Sequence, residues 1–286
     1  MPQQKSPIRW PAEAVWEAVA PLLPGFTVEV LPSIDSTNTE LMRRARAGQC
    51  EPTLLVAEQQ TAGRGRLGRV WQSDAGASLM MSLGLPLAPA DWSGLSLAVG
   101  VSVAESLQPV LPALGDGHAA RIGLKWPNDL WLDGATGERK LGGILVETAS
   151  FVAPQATATA RTSSARYVVV GIGLNLTTSP ADWPEELART AGSLYPGGPA
   201  PVSRAVLAGA IARELLSLCP AFDCLDEYRA RCFVPGHWVT VCTGAETYAA
   251  KALSIDDAGR LVVEREGGRQ IALQHGEVSI RPTRTG

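Results

Sequence analysis

Apolar residues recur at four-residue spacing in two stretches, Leu95, Val99, Val103 and Leu107, and later Leu207, Ile211 and Leu215. That spacing predicts two amphipathic helices, each with one face to bury. Short β-rich runs lie around them: Thr53 to Ala57, Ser78 to Leu85, Ile122 to Lys125, Gly143 to Glu147 and Tyr167 to Ile172. Several are too close in sequence for a helical crossover, which predicts a mixed, largely antiparallel sheet packed with helices. The pattern runs from about Thr27 to Arg231 without a break in composition. The expected fold class is therefore α+β. About 26 residues precede the first strand, room for one helix and not for a helix-turn-helix domain with its own core.

A second unit opens at Phe233-Val234-Pro235-Gly236. Its four or five short β-rich runs are punctuated by Thr243-Gly244, by Asp256 to Gly259 and by Glu266 to Gly268, which predicts a small β-barrel. The expected division is residues 1–232 and residues 233–286. Between two strands of the first unit, Ala149 to Arg166 is rich in Ala, Thr, Ser, Gln and Pro with little to bury. It is expected to be a mobile loop without a function of its own.

Candidate chemistry begins with Gly63-Arg64-Gly65-Arg66-Leu67-Gly68-Arg69-Val70-Trp71, preceded by Gln60. Arginine offers a rigid fork of charged donors suited to phosphate and carboxylate, and glycine lets the backbone approach a ligand closely. Such a loop can close over a phosphorylated ligand; a solvated basic loop or a nucleic-acid patch is the alternative. Gly63, Gly65 and Gly68 also satisfy G-x-G-x-x-G. The dinucleotide reading fails on context, because Gln72 to Gly76 are turn residues rather than a helix. Upstream, Thr37 and Glu40 read as a capping box ahead of Leu41, within Ser36-Thr37-Asn38, and the same helix start can hold a small polar head group. Lys125 ends a strand before Trp126-Pro127, and Lys140 enters another through Gly142-Gly143. Either lysine alone could be a solvated strand end; with the arginine loop they form an anion clamp. The strand Val168 to Leu176 ends in alternating Gly171 and Gly173, suited to close packing or ligand contact, followed by Asn175.

Composition narrows the function classes. In 286 residues, 45% hydrophobic, the formal charge is −3, so no global basic field favours a polyanion. No apolar run has the length of a signal peptide or a membrane span, which makes the cytoplasm the expected location. Five cysteines without C-x-x-C spacing argue against a disulfide framework and a zinc site. The three histidines, His118, His237 and His275, lie in no site-like context, so the chemistry is expected to be electrostatic.

Taken in order, S-T-N (Ser36 to Asn38), Q-x-x-G-R-G-R-x-G-R-x-W (Gln60 to Trp71), K-W-P-N-D (Lys125 to Asp129), K-L-G-G-I-L-V-E (Lys140 to Glu147) and G-I-G-L-N (Gly171 to Asn175) resemble the biotin protein ligases. The motifs cover about Ile34 to Asn175. The resemblance implies a class II synthetase-like catalytic domain followed by an SH3-like barrel. It implies formation of biotinyl-5'-AMP from biotin and ATP, and transfer of biotin to a lysine of the biotin carboxyl carrier protein of acetyl-CoA carboxylase. It further implies that Ser36, Thr37, Asn38 and Gln60 contact the biotin rings. Arg64, Gly65, Arg66 and Arg69 would order over the adenylate, and Lys125 and Lys140 would lie beside the biotin carboxylate and α-phosphate. Trp71 and Asn175 fall in the adenylate site. Mg2+ is expected with the leaving pyrophosphate, with Asp129 as its ligand or as a lysine-orienting group. Bifunctional relatives carry an N-terminal DNA-binding domain; its absence here implies the enzyme-only form, with neither nucleic acid nor membrane as a partner. A lipoate or octanoate ligase and a non-enzymatic nucleic-acid-binding regulator are the alternatives.

Overall fold

The computed structural model describes residues 10–73, 75–89, 92–112, 120–133, 138–150, 165–177, 183–196, 198, 200, 202–218, 223–242, 246–274 and 279–282. In chain order, the first part runs α1 (Ala12–Val19), β1 (Thr27–Leu31), α2 (Thr37–Arg46), β2 (Thr53–Ala57), β3 (Ser78–Leu87) and α3 (Leu95–Leu107). It continues through β4 (Arg121–Lys125), β5 (Asp129–Asp133), β6 (Arg139–Ser150), β7 (Arg166–Asn175), α4 (Glu185–Thr190), α5 (Arg204–Leu218) and α6 (Leu225–Arg231). A single 3-10 turn, Arg66–Gly68, lies between β2 and β3.

Seven strands form one sheet in the order β1-β2-β3-β7-β6-β5-β4. Only β1 and β2 are parallel; the remaining pairs are antiparallel, so the mixed, largely antiparallel sheet expected from short connections is present. Both faces are covered. Val168, Val170, Ile172 and Leu174 of β7 point to the large core with α1, α3 and α5, while Tyr167 and Val169 point to a smaller cluster with Leu41, Met42 and Ala45 of α2. This two-residue alternation is the pleat of the strand. Burial on both sides explains why β3 reads as a nearly continuous apolar run.

Three sequence expectations need correction. The helix at Thr37 is capped by Ser36, whose hydroxyl accepts from the Thr39 backbone N–H at 3.4 Å, so Thr37 and Glu40 form no capping box. Glu40 instead pairs with Arg43 and Arg44 one turn on. The strand β5 was not anticipated, because Asp129 and Asp133 at its ends and Trp131 in it blur the apolar signal. The segment Ala149 to Arg166 is strand at both ends, β6 extending to Ser150 and β7 starting at Arg166; residues 151–164 lie outside those described.

After α6 come β8 (Trp238–Cys242), β9 (Thr247–Ile255), β10 (Leu261–Glu264), β11 (Gln270–Leu273) and β12 (Ser279–Pro282), an antiparallel sheet in the order β11-β10-β9-β8-β12. Its inward residues Val239, Val241, Ala250, Ala252, Leu261 and Val263 join the large core. The turn between β9 and β10 reaches the main sheet, where the buried Trp126 donates its indole N–H to the Gly259 carbonyl at 2.9 Å.

Candidate active site

Strand register assembles the site. Lys125 stands opposite Asp129, Asp129 opposite Gly143, Gly143 opposite Gly173 and Gly173 opposite Met80, a row across β4, β5, β6, β7 and β3. Residues directly opposite point to the same face, here the face that carries α2. Along β7 that face runs Tyr167, Val169, Gly171, Gly173, Asn175, and large side chains give way to glycine where α2 ends. A cavity of about 800 Å³ opens there. It is lined by Ser36, Thr37, Asn38, Gln60, Arg64, Gly65, Arg66, Arg69, Trp71, Lys125, Asp129 and Lys140, together with Gly171 and Gly173. A volume in this range holds a ligand of drug size or larger.

The glycines act by closeness. A Cβ at Gly171 would sit 2.0 Å from Asn38 Oδ1, and one at Gly173 would sit 2.6 Å from Cε2 of Trp71. Both residues therefore make room for site side chains, and both also line the cavity. The arginine loop folds as a tight hairpin: Gly65 N–H donates to the Arg69 carbonyl at 2.7 Å and Trp71 N–H to the Gly63 carbonyl at 2.9 Å. Leu67, at its tip, has φ 56° and is 71% exposed.

The cations are held in different ways. Lys140 Nζ donates to Asp129 Oδ1 at 2.8 Å, so Asp129 orients a lysine. Lys125 is buried, with its ammonium 4.4 Å from the centroid of the Trp131 ring, a cation–π contact that partly replaces lost hydration. Arg66 donates to Asn128 Oδ1 at 2.8 Å, tying the arginine loop to the Trp126-Pro127 turn. Burial lowers the Arg66 guanidinium from its ordinary value, with the Asp129 charge opposing that shift. Arg64 is engaged elsewhere: one nitrogen lies 2.9 and 3.1 Å from the two carboxylate oxygens of Glu147, and Nε donates to Thr39 Oγ1. Its charge is paired with Glu147, a residue the sequence reading did not single out. Among the described residues no group of three acidic, histidine or cysteine side chains is placed to hold a metal.

One predicted site residue lies off the wall. Asn175 is buried, donates its amide to the Gly192 carbonyl at 3.2 Å, and is absent from the cavity lining. It fastens the segment after α4, in which Gly192 N–H donates to the Lys140 carbonyl and Leu194 N–H to the Asn175 carbonyl. Conversely, Ser82 of β3 touches two site residues without belonging to any motif: its Oγ is 2.7 Å from Thr37 Oγ1 and 2.6 Å from Asn38 Oδ1. The alternation of β3 alone could have placed it on the α2 face.

Residues 30–175 match the model of the biotin/lipoate A/B protein ligase family, and residues 236–281 that of the biotin protein ligase C-terminal domain. The biotin–[acetyl-CoA-carboxylase] ligase of Mycobacterium tuberculosis is 34% identical over 261 residues, 88% of each chain. The chain belongs to the biotin protein ligases. A second relative, the biotin–[acetyl-CoA-carboxylase] ligase of Paracoccus denitrificans, is 32% identical over 85% of this chain and 96% of its own. Among solved structures, the biotin protein ligase of Aquifex aeolicus in complex with biotin and ATP superimposes with a TM-score of 0.67 at 26% identity, covering 90% of this chain and 99% of that one. The α+β fold read from the strand pattern is thus the biotin protein ligase fold. The smaller antiparallel sheet occupies the position of the family's C-terminal domain.

Proposed function

We propose that the cavity holds biotin and ATP together and that the residues around it perform the two half-reactions of a biotin ligase. The chain forms biotinyl-5'-AMP and transfers biotin to acetyl-CoA carboxylase. In the first half-reaction a biotin carboxylate oxygen attacks the α-phosphorus, the bond to the bridging oxygen breaks, and pyrophosphate leaves. Both reactants are anions, so the barrier falls when fixed cations neutralise them and hold the charge that builds on the phosphoryl oxygens. The observation that carries this reading is the convergence of Lys125, Lys140 and Arg66 on one cavity that is also lined by Ser36, Thr37, Asn38 and Gln60.

Lys140, held by Asp129, is assigned to the biotin carboxylate, and Lys125 to the α-phosphate. Arg66 and Arg69 cover the adenylate from the hairpin, with Trp71 and Gly65 against it. Arg64 acts with its charge already paired to Glu147, so its part is placement of the hairpin over Thr39 and Asn38 rather than supply of free positive charge. Asn175 acts behind the wall, by fixing the segment that carries the Lys140 carbonyl partner.

Among the described residues the donor set does not fit a protein-held metal: no three ligating side chains converge, and Asp129, the candidate the sequence offered, has one oxygen on Lys140. Mg2+ is assigned to the phosphates of the incoming nucleotide. In the second half-reaction the neutral amine of an acceptor lysine attacks the acyl carbon and AMP leaves. The biotin carboxyl carrier protein is the proposed acceptor, and the cytoplasm the proposed location. No helix among the described residues is long and apolar enough to cross a membrane.

The test incubates the protein with labelled biotin, Mg-ATP and a carrier domain, and follows label on the carrier and pyrophosphate exchange into ATP. Label on the carrier and exchange that requires biotin are expected. Exchange indifferent to biotin would overturn the reading.

A further inference from the structure

The polar wall formed by Thr37 and Asn38 continues behind the cavity into a chain of hydrogen bonds with a single consistent direction. Glu147 stands at one end. Asn38 Nδ2 lies 2.9 Å from Glu147 Oε2 and 3.1 Å from the Leu145 carbonyl. Both are pure acceptors, so the amide nitrogen must face them; the flipped amide would press Oδ1 against a carboxylate. Asn38 Oδ1 is thereby aimed at Ser82, 2.6 Å away, and an amide oxygen can only accept. Ser82 is fully buried and has one proton, which goes to Asn38. Its oxygen is then an acceptor towards Thr37 at 2.7 Å, and the Thr37 hydroxyl must donate to it. Gln60 Oε1 accepts from the Thr37 backbone N–H at 2.8 Å and also lies 3.1 Å from Thr37 Oγ1, a longer second contact for that proton beside the 2.7 Å contact with Ser82.

From this we infer that Ser82 and Glu147 are positioning residues that hold the Thr37 proton away from the cavity, so that the hydroxyl meets a ligand as an acceptor and the cavity wall selects a ligand bearing an N–H at that point. The inference rests on the biotin ligase reading, since a ureido head group supplies two ring N–H donors. A ring oxygen in place of the matching N–H would face the Thr37 lone pairs with lone pairs of its own. A site built to hydrogen-bond one group discriminates strongly against the analogue that lacks it. Without Ser82, the Thr37 proton keeps only the longer contact to Gln60 Oε1 and is freer to turn to the ligand, so the discrimination falls.

The experiment compares biotin with the two cyclic carbamate analogues in which one or the other ring N–H is replaced by oxygen, using wild type and Ser82→Ala. Dissociation constants are measured by calorimetry, and KM and kcat by pyrophosphate exchange. Wild type should bind one of the two analogues roughly tenfold to a hundredfold more weakly than biotin. In Ser82→Ala that gap should shrink to about threefold or less, with the change in KM rather than kcat and the KM for ATP unchanged. An unchanged gap in Ser82→Ala overturns the inference, as does a wild type that binds both analogues as tightly as biotin. A wild type that binds neither biotin nor the analogues would sink the ligase reading instead, which separates the two failures. Should Ser82→Ala not fold, Ser82→Cys, close in volume and a weak donor, is measured in the same way with the same two outcomes.

Discussion

At the scale of single residues, contact distances separate charge from room. Lys140→Ala removes a cation that nothing in the large core contains, so its effect should fall on adenylate formation. Loss of one hydrogen bond to a charged group costs about 1.5 to 3 kcal/mol, or roughly ten- to a hundredfold in exchange rate, with the melting temperature little changed. Asp129→Asn should act in the same direction and more weakly, because the lysine keeps its charge and loses only its orientation. Equal exchange rates for Lys140→Ala and wild type would remove that lysine from the chemistry. Gly173→Ala tests room: a methyl group 2.6 Å from the Trp71 ring must displace the indole. Circular dichroism should stay native while exchange drops at least about tenfold; a variant of full activity would show that the position of Trp71 is immaterial. The cysteines offer a contrast. Burial pushes the thiols of Cys224 and Cys232 up to about 11. Raised values mean less thiolate, only about one part in a thousand at pH 8, and thiolate is the reactive form. Native protein treated with iodoacetamide at pH 8 should carry no adduct at either residue by mass spectrometry, and both should react once guanidinium unfolds the chain.

At the scale of elements, the hairpin from Gly63 to Trp71 stands out because it is bound to the sheet mainly by side chains. Its own ladder is short, and Leu67 and Val70 at its end are exposed. Arg66 to Asn128 and Arg64 to Glu147 and Thr39 are among the ties that hold it over the cavity. Few buried apolar contacts mean a low local opening free energy. Arg66→Ala should therefore raise amide exchange of Gly65 to Trp71 selectively, by roughly tenfold for one lost bond, while β3 and β7 remain protected. Uniform exchange across the molecule would show instead that the hairpin and the sheet open together. The cap of α2 belongs to this scale as well. Ser36 closes the helix and lines the cavity, so local helix chemistry and the binding wall share one residue.

At the scale of the whole molecule, the two sheets share apolar residues in one core and are joined by the buried bond from Trp126 to Gly259. Arg229 of α6 adds a bond to the Ile255 carbonyl and one to Asp257 across the same junction. Trp126→Phe keeps an aromatic ring and leaves the Gly259 carbonyl without its donor. An unsatisfied buried acceptor costs about 1 to 3 kcal/mol. Calorimetry should show a lower melting temperature with one transition still, because a continuous core couples the parts. Two resolved transitions would mean that the sheets unfold independently. The KM for ATP should rise too, since Trp126 is continuous in sequence with Lys125 and Asn128.

What the amino-acid order determined by itself is local or is carried by motif. A period of about four residues marks α3 and α5, short β-rich runs mark β2 and β3, and spacing identified the arginine loop and the two lysines as a cation set. Those residues were legible because glycine, arginine and lysine stand out chemically in a short window. Tertiary structure decided which of them meet. Lys125, Asp129, Gly143 and Gly173 form a row through strand register, a relation between residues up to 48 positions apart that no local period encodes. The same register turned Asp129 towards Lys140, paired Arg64 with Glu147, and sent Asn175 behind the wall rather than onto it. It also brought Ser82, unremarkable in a run of apolar residues, to within hydrogen-bonding distance of Thr37 and Asn38. Direction in a network of hydroxyls and amides depends on which acceptor lies at its end, and only the folded chain brings Glu147 there.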